Sequence, residues 1–307
     1  MVYYFLKDHQ LMAIEIINVA KKFGHVRALE EVNLIINEGE VFGFLGPNGA
    51  GKTTTIRIAT GFIRPDAGSV RLLGLDPWAQ SAELKGRIGF LPDRVAFDNG
   101  ISGREFLKYM SNLHGQKDAS PWQQELLDRL ELSQDALARK VRGYSSGMAK
   151  KLGLVQAMQH RPELLIMDEP TEALDPLVRQ SLFEIIKELS NQGVTIFLSS
   201  HVLPDIQEVC QRVSLIRGGE IVETGSVESL RLGKYRTMVV DFKKIPDTEI
   251  ILEGAEILDM DGTRMVIKIS GDINNVIRSL SRHEVDDIVY ERLSLEELFL
   301  EYYGDID

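Results

Sequence analysis

The segment Gly46-Pro47-Asn48-Gly49-Ala50-Gly51-Lys52-Thr53 fits G-x-x-x-x-G-K-[ST], the pattern of a phosphate-binding loop. Glycines let backbone N–H groups turn inward around phosphate oxygens, and a helix start directly behind them adds the positive end of its dipole. In such a loop Lys52 reaches the β and γ phosphates of a nucleotide, the Thr53 hydroxyl ligates Mg²⁺, and Thr54 follows as a further binding residue. A glycine-rich turn that merely joins strand to helix is the bland alternative. Downstream, the apolar run Leu164 to Met167 ends in Asp168-Glu169. A carboxylate at the C-terminal end of a buried strand lies beside such a loop in an open α/β sheet. Asp168 can hold Mg²⁺ through water, and Glu169, pointing elsewhere, is free to polarise an attacking water as general base. Alone, two acids after an apolar run are just as often a plain strand end.

These residues need a scaffold, and the hydrophobic pattern supplies one. Ile14 and Ile16, then Val32, Leu34 and Ile36, alternate with polar residues and predict paired strands with one wet face. Val41 to Leu45, Leu164 to Met167 and Val194 to Leu198 are apolar without alternation, as strands buried on both faces of a parallel sheet are. Helices are expected from near Thr53 and over Leu177 to Ser190, which makes an α/β core. Between the two site segments the pattern turns helical over about residues 96–143, with Phe106, Met110 and Leu113 on one stripe and Leu126, Leu127 and Leu130 on another. The Gly218-Gly219 turn and Ile221 to Glu223 close the core. A boundary is placed at Leu230 to Lys234, after which come a strand over Met238 to Phe242 and a hairpin through Asp261-Gly262. A helix capped by Asp272, a strand over Ile288 to Tyr290 and a last helix opening on Ser294 and Glu297 in capping-box spacing complete the chain. The expected architecture is a phosphate-loop core of mixed sheet over residues 12–230, with an antiparallel β subdomain and a helical insertion, and a small α+β domain over 235–307. Residues 1–11 form an extension without an assigned role, and Met12 is an alternative start.

At 307 residues and 44% hydrophobic content the chain can bury a sizeable core and is expected to be globular and soluble. Its apolar runs fall far short of the roughly 20 residues of a membrane-spanning helix, and the first ten residues carry no secretory pattern. One cysteine, Cys210, rules out an intramolecular disulfide and fits a cytoplasmic setting. Net charge is −11, with 17 acids against 9 bases between Lys234 and Asp307, a surface that repels nucleic acid.

Three further segments occur in order with these: Tyr144-Ser145-Ser146-Gly147-Met148 before a helix, Ala173-Leu174-Asp175, and Leu198-Ser199-Ser200-His201. Together the motifs resemble the nucleotide-binding subunit of an ABC transporter, over about residues 13–230. The resemblance implies that Phe23 stacks on adenine. It also implies that Ser145, Ser146 and Gly147 contact the γ-phosphate held by the opposite subunit, that Asp175 communicates between two sites, and that His201 touches the γ-phosphate and the catalytic water. Each has a plainer reading: a core aromatic, helix N-caps at Ser145 and Asp175, and a histidine after a strand. Where most of the family has a glutamine that ligates Mg²⁺, this chain has Asp93, a hard-cation ligand without the amide. The signature departs too, with Tyr144, Ser146 and Met148 where leucine, glycine and glutamine are usual. That variant, and the closing Leu295-Glu296-Glu297-Leu298-Phe299, look like the export branch that serves a separate ABC-2 type membrane subunit.

The expectation is therefore an ATPase that uses ATP and Mg²⁺, with Lys52, Glu169 and His201 catalytic and Thr53, Asp93 and Asp168 on the metal. It would pair with a second copy or a paralogous subunit and sit on the inner face of the cell membrane through its permease, which contacts the cargo. Two rivals are a soluble ABC-type ATPase that regulates a non-transport process, and a small-molecule kinase with the same loop.

Overall fold

In the computed structural model, which describes residues 11–95, 97, 100–115, 120–231, 236–246, 250, 252–269 and 271–292, the chain opens on two long antiparallel strands, β1 (Met12–Phe23) and β2 (Val26–Asn37). Their alternation has the expected outcome: Ile14, Ile16, Val32, Leu34 and Ile36 are buried, with Ile14 opposite Ile36 and Ile16 opposite Leu34. Then follow β3 (Val41–Leu45), buried at every residue, α1 (Lys52–Ala59), β4 (Ala67–Leu72), α2 (Ser81–Arg87) and β5 (Ile88–Leu91). The helical stretch holds α3 (Gly103–Leu113), α4 (Pro121–Arg129), α5 (Gln134–Ala138), a 3₁₀ turn (Val141–Gly143) and α6 (Ser146–Met158). The chain returns to the sheet with β6 (Leu164–Asp168), α7 (Pro176–Asn191), β7 (Thr195–Ser200), α8 (Leu203–Val209), β8 (Arg212–Arg217) and β9 (Glu220–Ser226).

Helix starts follow from side-chain chemistry. The Ser102, Ser120, Ser133, Ser145 and Asp175 side chains accept from the backbone N–H three residues on, opening α3, α4, α5, α6 and α7. Each cap satisfies an N–H that the helix leaves orphaned, and is worth about 1 kcal/mol.

Strands β2-β1-β4 form one sheet, and β5-β6-β7-β3-β8-β9 form a second whose pairs β5·β6, β6·β7, β7·β3 and β3·β8 are parallel. Phe42, Phe44 and Phe197 lock the centre of the second sheet, with ring centroids 6.3 and 5.8 Å apart across β3 and β7. One expected helix face is shifted. In α3 the buried residues are Gly103, Leu107 and Ser111, while Phe106 and Met110 are half-buried and Leu113 is 63% exposed. Apolar spacing gave the helix its period, but packing against α5 and α6 selected the neighbouring stripe.

The chain divides into compact units at Thr224 and Gly225. After α9 (Val227–Arg231), the second unit builds a four-stranded antiparallel sheet in the order β11-β12-β10-β13 from β10 (Arg236–Phe242), β11 (Ala255–Asp261), β12 (Arg264–Ile269) and β13 (Val285–Arg292). Helix α10 (Ile273–Leu280) is capped by Asp272, as expected, and contributes Val276 and Leu280 to a separate core with Met238, Val240 and Ile267. The hairpin sits one residue later than read: Asp261 pairs with Arg264 as the last strand residue, so Gly262 and Thr263 make the turn. The expected last helix from Ser294, with Leu295 to Phe299, lies outside the described residues.

Candidate functional site

Strands β6, β7 and β3 lie side by side and run the same way. Asp168 pairs with Ser199, and Leu45 with Ser200, so three segments distant in sequence end at one edge of the sheet. From that edge spring the glycine-rich loop, the Glu169 turn and His201, the geometry in which open α/β sheets bind ligands beyond their strand ends. An open cavity of about 370 Å³ lies there. Its walls are Pro47, Asn48, Gly49, Gly51, Lys52, Thr53 and Thr54, joined by Asp93, Arg94, Glu169, Glu172 and His201 and by Val26, Arg27 and Ala28 from the β1–β2 hairpin.

Loop geometry explains the glycines. Gly51 has φ 113°, which side-chain-bearing residues rarely adopt, and a Cβ there would lie 2.7 Å from Leu29. Gly46 donates its N–H to the Ser200 carbonyl at 3.3 Å, and Ala50 is buried behind the loop. The Lys52 ammonium, also buried, donates to the carbonyl oxygens of Gly46 (2.6 Å) and Pro47 (3.2 Å) and pairs with Glu169 Oε1 at 3.2 Å.

The acidic side is more ordered than a strand end requires. Ser199 Oγ donates to Asp168 Oδ1 at 2.5 Å and accepts from the Glu169 N–H at 3.1 Å. Burial pushes the Asp168 carboxyl above its ordinary pKa, opposed by hydrogen bonds from Ser199 and Thr53. Glu169 has φ 49°, a left-handed conformation for a residue other than glycine, and its carboxyl meets Lys52 and His201 where that of Asp168 meets Ser199. The second oxygen of Glu169 is hydrogen-bonded to His201 Nδ1 at 2.9 Å.

Thr53, Asp168 and Asp93 offer hydroxyl and carboxylate oxygens, the hard donors that Mg²⁺ takes, so their chemistry suits the ion. The other candidates lie apart. Phe23, at the end of β1, is 47% exposed with the Lys21 ammonium 5.6 Å from its ring centre, and the cavity wall is formed by its hairpin neighbours instead. Ser145 and Ser146 are exposed at the start of α6, and Asp175 is exposed at the start of α7. Asp175 is held below the ordinary carboxylate range by the Val178 N–H and by Lys151, 3.3 Å away.

Sequence reading passed over several residues here. Glu172 shares the cavity wall with Asp93, and loss of solvent together with that carboxyl neighbour raises its pKa. Lys150 is buried, and burial lowers its pKa against the pull of Asp93, Glu172, Asp168 and Glu169. Asp205, almost wholly buried in α8, accepts from Thr171 at 2.5 Å and pairs with Arg179 of α7. Lys150 had a readable signal: it lies four and seven residues before the buried Leu154 and Ala157, on the apolar face of α6, where a lysine needs a reason. A larger groove of about 590 Å³ runs along α7 and α8 from Pro176 to Glu208 and gathers none of the motif residues.

A central parallel strand that feeds a phosphate loop, an acid pair at the end of the strand two places away and a histidine after the strand between them define a nucleoside triphosphatase of the P-loop class. Residues 29–172 match the ABC transporter family. Over 309 residues the chain is 32% identical to the daunorubicin resistance ATP-binding protein DrrA3 of Streptomyces coeruleorubidus, covering 95% of this chain and 96% of that one. It is 33% identical over 220 residues to the linearmycin resistance ATP-binding protein LnrL of Bacillus subtilis, covering 70% of each. The solved ATP-binding subunit of an ABC transporter superposes with a TM-score of 0.65 at 26% identity, covering 71% of this chain and 92% of that one. The chain belongs to the ABC transporter family, as an ATP-binding protein.

Proposed function

We propose that this protein is the ATP-hydrolysing subunit of an exporter, acting head to tail with a second copy of itself or a paralogous subunit beneath a separate membrane-spanning permease. One observation carries the reading: the site is in halves. Lys52, Thr53, Asp168, Glu169 and His201 gather at one edge of the sheet, while Ser145, Ser146, Gly147 and Asp175 are displayed on helix starts elsewhere on the protomer. Helix starts with free N–H groups and a serine hydroxyl suit an anion, and a second protomer's ATP would supply one.

Lys52 would exchange its contacts with Glu169 and the loop carbonyls for the β and γ phosphates. Released from Lys52, Glu169 would take a proton from water while His201 keeps its carboxylate aimed. Thr53, Asp168 and Asp93 would hold Mg²⁺, which when bound neutralises phosphate charge. Phe23, at the hairpin end, is assigned to the adenine. Residues 12–230 are assigned to this motor and 235–307 to an accessory domain.

Export is favoured by likeness over nearly the whole chain to a protein named for daunorubicin resistance. No helix among the described residues is long and apolar enough to cross a membrane, so a permease would hold the protein at the inner face. In the test, Glu169→Gln is purified and given ATP with Mg²⁺. Hydrolysis should fall about 10²–10⁴-fold, ATP binding should persist, and an ATP-dependent dimer should accumulate on size exclusion. Hydrolysis at the wild-type rate would remove Glu169 as the base.

A further inference from the structure

Lys150 has no part in the mechanism above, yet it is 5% exposed and its ammonium donates to two main-chain carbonyls, Asp93 O at 2.8 Å and Glu169 O at 3.0 Å. Both carbonyls belong to residues that wall the nucleotide cavity. Lys150 itself lies in α6, five residues after Ser145, whose hydroxyl caps that helix. We propose that Lys150 is a positioning residue that links the cavity of one protomer to the Ser145–Gly147 motif that the same protomer offers to the opposite ATP. The inference rests on the composite-site reading above.

The link is physical at each step. A buried ammonium that loses its acceptors carries the full cost of desolvation, so the carbonyls and α6 move together when nucleotide reshapes the cavity. Hydrogen bonding within a helix makes α6 a short rod, and a displacement at Lys150 appears at its first turn. There a second tie fixes the direction of travel. A Cβ on Gly147 would lie 2.7 Å from the Ala173 carbonyl oxygen, and Lys151 pairs with Asp175 at 3.3 Å. The start of α6 and the loop from Glu169 to Asp175 are thereby held as one body, with Lys150 joining it to Asp93. A neutral chain of similar length would fill the same space without holding either carbonyl.

Glu169→Gln leaves the Glu169 carbonyl intact, so it is the background for the test. In that background Lys150→Met should bind MgATP, measured by calorimetry, within about twofold of the parent while its ATP-dependent dimer, measured by sedimentation, weakens at least about fivefold, the low end of typical coupling. Lys150→Arg should restore most of the dimer. The inference is overturned alone if Lys150→Met dimerises as the parent does. It is also overturned if MgATP affinity and melting temperature fall with dimerisation and Lys150→Arg brings none of them back, since Lys150 would then be a packing pin. Failure of the parent itself to dimerise with ATP would overturn the composite-site reading and this inference together.

Discussion

Ser199 shows how much a single hydroxyl decides in this site. It donates to Asp168 and accepts from the N–H of Glu169, so it fixes both acids and helps hold the left-handed turn between them. Ser199→Ala leaves a buried N–H and a carboxylate oxygen without partners, which should cost about 1–3 kcal/mol of stability in urea denaturation. Turnover should fall as Glu169 loses its fixed aim. A variant as stable and as active as wild type would show that the strand alone positions the acids. At this scale the phosphate loop and the Asp168-Glu169 pair were legible, because their chemistry is carried by adjacent residues. Ser199 stood inside a recognised segment without a role, since a serine at the end of a buried strand says nothing about which neighbouring strand it will face. Glu172 and Asp93 were harder still, as their contact joins loops 79 residues apart.

Among the elements, parallel strands do the assembling, and the helical insertion carries a pH-sensitive contact. His160, just beyond α6, stacks on His114 at the end of α3 with ring centroids 3.8 Å apart, and its Nε2 donates to the Ile88 carbonyl at 3.0 Å. Burial, with His114 beside it, depresses its pKa from 6.5 to about 4. The unfolded chain therefore binds the extra proton first. His160 contributes its full stabilisation above pH 6.5 and loses it as pH falls towards 4, by up to about 3 kcal/mol. Melting temperature followed across that window should drop with acidity, and more steeply than in His160→Gln. Equal slopes would mean that another group governs the acid limb. Strand and helix existence was legible from period and from unbroken apolar runs, and Asp272, Asp175 and Ser145 were readable as caps from their types alone. The face of α3 was not, because period fixes which residues share a stripe and only the neighbouring helices decide which stripe is covered.

For the whole molecule, sequence order placed a boundary at Leu230 to Lys234, whereas the contacts divide the chain between Thr224 and Gly225, and the core of the second unit draws on Met238 to Leu280. What order cannot convey is that the motifs sort into two groups on one protomer. Lys52, Glu169 and His201 meet, whereas Ser145 and Asp175 are exposed and lie outside the cavity that those three line. In the proposed dimer each protomer would hold half of two sites, and complementation between defective copies tests that claim most directly. Ser145→Asp preserves the cap of α6, since aspartate caps as well as serine, but sets a negative charge against the phosphate of the opposite ATP. Glu169→Gln lacks only the base. Each variant alone should hydrolyse ATP at background. Mixed in equal amounts, they should recover hydrolysis, because a mixed dimer contains one site with an intact Glu169 from one chain and an intact Ser145 from the other. A mixture that stays at background, or a Ser145→Asp protein as active alone as wild type, would contradict the composite site.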